Sequence, residues 1–454
     1  MSTVTVPGAT GPISVTVNGG AAFSLAQAYS NALSALASSG KLFSSTLTTG
    51  TSAPTVTSGD TGLAIITTGG AYSFPTSYSY LLNAATSAVS IDETGVASAT
   101  SVLASIGGTT ILGGTGGGQF IGGGGANLFE GANSGGGNYS IATADGNDSI
   151  YGNSGNDVIQ AGTGQNQIFT GTGNDSVYSV GTDEIVVGSG SSNIVALTGA
   201  SSTVFGGPGS LLLVDAGGND SYVGGSGNTS LFGGSAGTYY LSGNSTVIGG
   251  TNDTIAASGN TAVFGGVNTV VYEMGTGALA FIASPQSSAT VHGGTSTTVY
   301  GANDADITFS NSSGLGYLVA GSGNETLNGS NASGVLDLFG NASSTSLMGG
   351  SGADTLVAGS GTTSMTGGSG AANLFVFSNG SEGGTAYITD FGSAAGNMVG
   401  LFGYGTTAAQ TAVAGAINNT TGGSVISLAD NTTVTFTTLT AAQLKMDSSQ
   451  IFST

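Results

Sequence analysis

The sequence predicts an all-β protein, a parallel β-roll or β-solenoid with a small mixed α/β domain at its N-terminus and a β cap at its C-terminus. Three observations predict it. Of 454 residues, 85 are Gly, without the every-third spacing of collagen. Charged residues make up only 6% of the chain while apolar ones make up 39%, the reverse of the balance that leaves a chain disordered. Between Ser134 and Leu241 the chain divides into twelve consecutive nine-residue units, a period that stacks short strands into coils.

Residues 1–105 read as the mixed domain, a cap or assembly region. Ile13-Ser14-Val15-Thr16-Val17 alternates as a strand does and ends at the turn dipeptide Asn18-Gly19. Ala21 to Ser39 predicts a helix with Leu25, Tyr29, Leu33 and Leu36 on one face; Gly40 suits the residue after its end, and Lys41 meets the negative end of the dipole. Two further helices are expected over 78–89 and 95–105.

Residues 106–375 read as the solenoid. Position 8 of the twelve units holds Ile141, Ile150, Ile159, Ile168, Val177, Val186, Val195, Val204, Leu213, Tyr222, Leu231 and Tyr240, all apolar or aromatic. Position 4 is usually Gly, as at Gly146, Gly155, Gly164 and Gly173, where a tight turn needs positive φ. Between Ser242 and Gly301 the units shorten to a strand followed by Gly-Gly. The frame returns at 302–328 and again at 331–375, with Leu338, Leu347, Leu356, Met365 and Leu374 at position 8. Residues 376–454 read as the cap. Strands are expected at 373–377, 387–391, 424–428, 432–439 and in the tail, with a short helix over 441–446.

Charge narrows the function classes. The net charge is −21, and Lys41 and Lys445 are the only Lys or Arg residues. Such a chain has no basic patch for nucleic acid and is repelled by anionic lipid. It attracts divalent cations, and 18 of its 23 acids lie between Glu130 and Asp390. Cys is absent, so neither disulfides nor thiol chemistry contribute. The first ten residues lack the cationic start and apolar run of a signal peptide. No apolar stretch is long enough for a transmembrane helix, and no membrane insertion is expected.

The units Asp145-Gly146-Asn147-Asp148-Ser149-Ile150, Gly152-Asn153-Ser154-Gly155-Asn156-Asp157-Val158-Ile159 and Gly171-Thr172-Gly173-Asn174-Asp175-Ser176-Val177 resemble the RTX (repeats-in-toxin) calcium-binding nonapeptide. The resemblance implies a calcium-loaded β-roll, with Ca²⁺ held by the position-6 carboxylate and turn carbonyls. Ca²⁺ is a hard cation that takes six to eight oxygens, and stacked turns offer them in register. With two units per coil, Asp157, Asp175 and Asn193 stack on one edge, and Asp148, Asn166 and Glu184 on the other. Asp220 and Asp354 are further candidate ligands, as are Asp253 and Glu325, whereas Leu211 cannot ligate. The alternative for each Asn-Asp pair is a turn whose side chain bonds its own backbone.

Residues 367–391 resemble the closing module of RTX proteins, and the tail Gln450-Ile451-Phe452-Ser453-Thr454 resembles a type I secretion signal. The resemblance implies an extracellular or cell-surface protein, exported without an N-terminal signal peptide. The reactive groups of most enzymes are scarce: His292 is the only His, so no catalysis is expected. The leading expectation is a structural protein of a surface layer, matrix or fibre, self-assembling head to tail as a homo-oligomer or filament, with a cell-surface polysaccharide as a further partner. An adhesin or ice-binding module is the alternative, with Thr246, Thr254, Thr261 and Thr269 as a hydroxyl ladder. An enzyme or toxin carried by an RTX secretion module is the third reading. It would place catalysis in residues 1–105, which hold three acids (Asp60, Asp92, Glu93), one Lys and no His.

Overall fold

The computed structural model describes residues 2–18, 20–133, 135–311, 313–380, 383–392 and 394–454. Met1, Gly19 and Ser134, which open the chain, complete the expected Asn18-Gly19 turn and start the nine-residue frame, lie outside them. The chain forms two compact units, Met1–Thr238 and Tyr239–Thr454.

In the first unit, short strands alternate between two parallel sheets. One inward row runs Leu81, Val102, Phe120, Ile141, Ile159, Val177, Val195 and Leu213, each residue in register with the next. The facing row runs Ile91, Ile111, Phe129, Ile150, Ile168, Ile185, Val204 and Tyr222. None of these side chains is more than 1% exposed, and burying each contributes about 1.5–3 kcal/mol. The predicted position-8 residues fill both rows with one correction. Ile185, not Val186, points inward, because the turn before it is one residue short and the next turn is one longer.

The parallel ladder begins at Leu42–Thr46, paired with Thr61–Ile66. The helices expected over 78–89 and 95–105 are therefore corrected. Those stretches hold the strands Tyr80–Asn83 and Thr100–Ala104, and a third strand, Val89–Asp92, starts at the end of the first stretch. In the strands at 80–83 and 100–104 the outward Tyr80, Leu82 and Leu103 are apolar as well, because the N-terminal elements cover them. An antiparallel hairpin, Ser2–Pro7 with Pro12–Val17, and the helix Gly20–Ser38 lie against the sheet. Val6, Val17, Ala26, Tyr29 and Leu33 pack on Ile65, Leu82, Leu103 and Ile121. Strands buried on both faces lose the alternation that identifies them. The helix ends as predicted: Gly40 takes φ +68, and the Lys41 N–H returns to the Leu36 carbonyl. Leu33 is fully buried in this seam, so Leu33→Ala is expected to cost about 2–5 kcal/mol in urea denaturation.

The second unit repeats the two-sheet coil. Tyr239, not Tyr240, points inward, at 1% against 50% exposure. From there the inward residues are Val247, Ile255, Val263 and Val271, an eight-residue spacing that accounts for the shortened units. Leu338, Leu347, Leu356 and Met365 are inward as predicted, but Phe375 takes the next place rather than the half-buried Leu374.

The cap strands lie at Leu374–Ser378, Thr385–Ile388, Ser424–Ser427 and Thr433–Phe436. The helix Ala441–Met446 starts with a capping box between Thr440 and Gln443. The tail strand Ile451–Ser453 pairs with Met398–Phe402, and the helix Ala408–Ala414 lies nearby; neither Met398–Phe402 nor Ala408–Ala414 was expected from the sequence. Thr261 and Thr269 are buried while Thr246 is exposed, so the four expected threonines form no common ladder.

Candidate metal centre

Turns join the two sheets along two edges of the coil, and at most units position 6 faces inward there. On one edge of the first unit the Asn127 N–H donates to Asp148 Oδ1 (2.7 Å), Asp148 N–H to Asn166 Oδ1 (2.9 Å), and Asn166 N–H to Asp183 Oδ1 (3.0 Å). The series continues from Asp183 N–H to Ser202 Oγ and from Ser202 N–H to Asp220 Oδ1. On the other edge Tyr139 N–H donates to Asp157 Oδ1 (2.7 Å), Asp157 N–H to Asp175 Oδ1 (2.8 Å), and Asp175 N–H to Asn193 Oδ1 (2.9 Å). Each side chain reaches back one coil and satisfies a buried backbone donor. In the second unit Asp354 Oδ1 accepts from Leu336 N–H, and Asn373 Oδ1 accepts from Asp354 N–H.

The stacking expected for Asp157, Asp175 and Asn193 is thus present, as is that of Asp148 and Asn166. Glu184 is displaced from this ladder: the short turn puts Asp183 at the rung, and Glu184 is an exposed strand residue opposite Gln167 and Thr203. The sequence reading also missed a second, outer ladder. Asn156 N–H donates to Asn138 Oδ1, Asn174 N–H to Asn156 Oδ1, and Ser192 N–H to Asn174 Oδ1. Each Asn-Asp pair therefore clasps both ways, Asn bonding the coil after it and Asp the coil before it. The turn reading of these pairs was right about the backbone as partner but placed it in the wrong coil.

The rungs differ in what they leave over. Asn166 and Asn193 also donate their amides to the Gly162 and Gly190 carbonyls. Asp183 Oδ2 accepts from Ser179, and Asp354 Oδ2 from Gly350 N–H. Asp148, Asp157, Asp175 and Asp220 keep a buried Oδ2 without a hydrogen-bond partner. Burial raises all four carboxyl pKa values: Asp148 to about 6, Asp157 and Asp220 to about 7, and Asp175 above its usual range. Glu93 and Glu325, buried with a bare Oε1, are likewise pushed up by burial to about 7. Glu93 lies outside the repeats, so no spacing pointed to it.

A buried carboxylate oxygen with no donor is costly unless it is protonated or meets a cation. Ca²⁺ fits this donor set: hard anionic oxygens from Asp148, Asp157, Asp175 and Asp220, beside turns whose carbonyls are close at hand. Among the described residues no three His, Cys, Asp or Glu side chains cluster as metal ligands, so backbone carbonyls must complete any site. The turns allow no bulk. At Gly173, φ is +133 and an added Cβ would lie 1.6 Å from the Gly155 carbonyl oxygen of the preceding coil. Gly173→Ala is therefore expected to lower the melting temperature measured in calcium by several degrees or more, through strain and loss of coil stacking. A cleft of about 410 Å³ runs along one edge, lined by Asn147, Asp148, Asn166 and Asp183 among others.

Residues 143–177 and 339–372 match the family model of the RTX calcium-binding nonapeptide repeat, in four copies. No curated protein and no solved structure matches the chain. The first matched segment contains Asp148, Asp157, Asn166 and Asp175, and the second contains Asp354. These repeats are calcium-binding, and Ca²⁺ is the cofactor they imply. Repeat and coil geometry agree: the matched repeats and the β-solenoid around them fit an RTX β-roll protein.

Proposed function

We propose that the protein is a secreted, calcium-binding structural protein whose subunits assemble into a surface layer, matrix or fibre. The observation that carries this reading is the pair of buried ladders. They fix a rigid coil stack by backbone clasps and leave bare carboxylate oxygens for a cation. Bound Ca²⁺ supplies positive charge and oxygen coordination between turns, so the scaffold sets where calcium is plentiful. RTX repeat proteins are typically exported by type I secretion, and an RTX solenoid is typical of non-catalytic structural proteins. Among the described residues no helix is long and apolar enough to cross a membrane.

Negative-stain imaging of the purified protein with Ca²⁺ and with EGTA tests the reading. Ordered assemblies in calcium are expected; monomers under both conditions would remove the assembly claim.

One observation favours adhesion as a second reading. In the second unit the outward face of one sheet is rich in hydroxyls, with Ser288, Asp306, Thr326, Ser346 and Ser364 along one row and Thr290 and Thr308 on the next. His292 lies on this face as well, stacked on Tyr272 with ring centroids 4.5 Å apart and its Nδ1 2.7 Å from Ser310 Oγ. Retention of calcium-loaded monomer on immobilised cell-surface polysaccharide is expected under this reading, and failure to bind removes it.

A further inference from the structure

The opposite sheet of the second unit presents a different surface. Nine of its strands, from Ser245–Ile248 to Met398–Phe402, pair in succession. One outward row runs Ile248, Phe264, Ile282, Tyr300, Val319 and Phe339 in unbroken register. The first four are 37–45% exposed. Two rows away Leu315 and Val335, in register with each other, are 46% and 42% exposed, and the row between holds Tyr317, 38% exposed, in register with Asp337. Asp337 is the only charged residue in these nine strands, in a chain of net charge −21. Scattered exposed apolar residues need no explanation, but a contiguous band of them does.

The first unit shows how this chain treats such a row when it has an element to spare. Ile65, Leu82, Leu103 and Ile121 also point outward, and the hairpin and the helix Gly20–Ser38 cover them to 1% exposure or less. No helix packs on the second unit's band among the described residues.

We infer that this band is the face through which a second copy of the chain docks, sheet against sheet, about a two-fold axis. The inference rests on the assembly reading above and names its surface. Charge selects the occupant. Two copies at −21 repel wherever carboxylates face each other, and this face is nearly free of them. Area agrees: nine strands at about 4.8 Å spacing and three to five residues at about 3.3 Å give roughly 600–700 Å² of sheet face. Side-chain relief brings this near the ~800 Å² that each partner gives a stable interface. A two-fold axis sets the same band on itself, and packed sheets stand about 10 Å apart.

The test uses the full chain in saturating calcium, followed by sedimentation velocity over a range of concentrations. The wild type is compared with Phe264→Glu/Tyr300→Glu, which sets like charges in the seam, and with Phe264→Thr/Tyr300→Thr, which keeps strand propensity without charge. Circular dichroism establishes that each variant is folded. Wild type is expected to form dimers or larger species, the glutamate variant to dissociate at least about 100-fold more readily and the threonine variant about 10-fold. If wild type assembles and the folded glutamate variant assembles equally well, the face is wrong while the assembly reading stands. If folded wild type stays monomeric, both fall. A monomeric wild type that partitions onto zwitterionic lipid vesicles through the same side chains assigns the band to a membrane surface and overturns the proposal.

Discussion

Stripped of calcium, the chain is expected to melt at a higher temperature at pH 5 than at pH 8. Asp148, Asp157 and Asp220 have carboxyl pKa values raised by burial to about 6, 7 and 7. A raised carboxylate pKa means that the folded state holds protons the unfolded chain has released. Stability is then greatest below the unfolded value and is lost as pH rises through the folded ones. For Asp157 alone the loss between pH 5 and pH 8 is on the order of 2–3 kcal/mol. Self-repulsion of a −21 chain acts in the same direction. Calcium reverses the slope, because the cation replaces the proton on the bare Oδ2 atoms and binding releases protons. Thermal melts at both pH values in EGTA and in calcium check the expectation. Equal melting temperatures in EGTA would show that the Oδ2 atoms are not the sensitive groups.

Asp157 separates the two roles of a rung. Asp157→Ala leaves the Tyr139 N–H without its acceptor, which costs about 1–3 kcal/mol with or without calcium. Asp157→Asn keeps the acceptor, as Asn166 and Asn193 do at equivalent rungs, and removes the buried charge. In EGTA at pH 8 the Asn variant is expected to be more stable than wild type by about 2–3 kcal/mol, and the Ala variant less stable. In calcium the Asn variant loses much of the stabilisation that wild type gains. Urea denaturation in the two buffers reads both effects. An Asn variant that behaves like Ala in EGTA would remove the ladder; one that keeps the full calcium gain would remove Asp157 as a ligand.

The coil was legible because its inward rows recur at position 8, and a small core leaves no choice but large apolar side chains there. The one-residue slips were not legible, for a local reason in each case. Ile185-Val186 and Tyr239-Tyr240 are pairs of similar residues, and Leu374-Phe375 is another. Counting by nines cannot tell which member of such a pair faces in. The position of Glu184 failed with the same slip, since Asp183 stands beside it. The strands at 80–83 and 100–104 were read as helix because their second face is buried under an element far away in sequence. The calcium ladder was visible as Asp at position 6. The outer Asn ladder was not, because an Asn in a turn fits a local bond as well as one to a coil 18 residues away.

The two-way clasp also bears on how the scaffold carries load. Pulled along its axis, each junction between coils resists through all its strand bonds at once, as parallel fibres share tension. Between Asn138 and Asn193 the Asn and Asp rungs on the edges add to that shared resistance. At Leu211 the rung is apolar and the edge relies on backbone bonds, such as that from Leu211 N–H to the Asn228 carbonyl. Toughness is therefore graded along the first unit, stiffest where the carboxylates are densest and weakest where a leucine interrupts them.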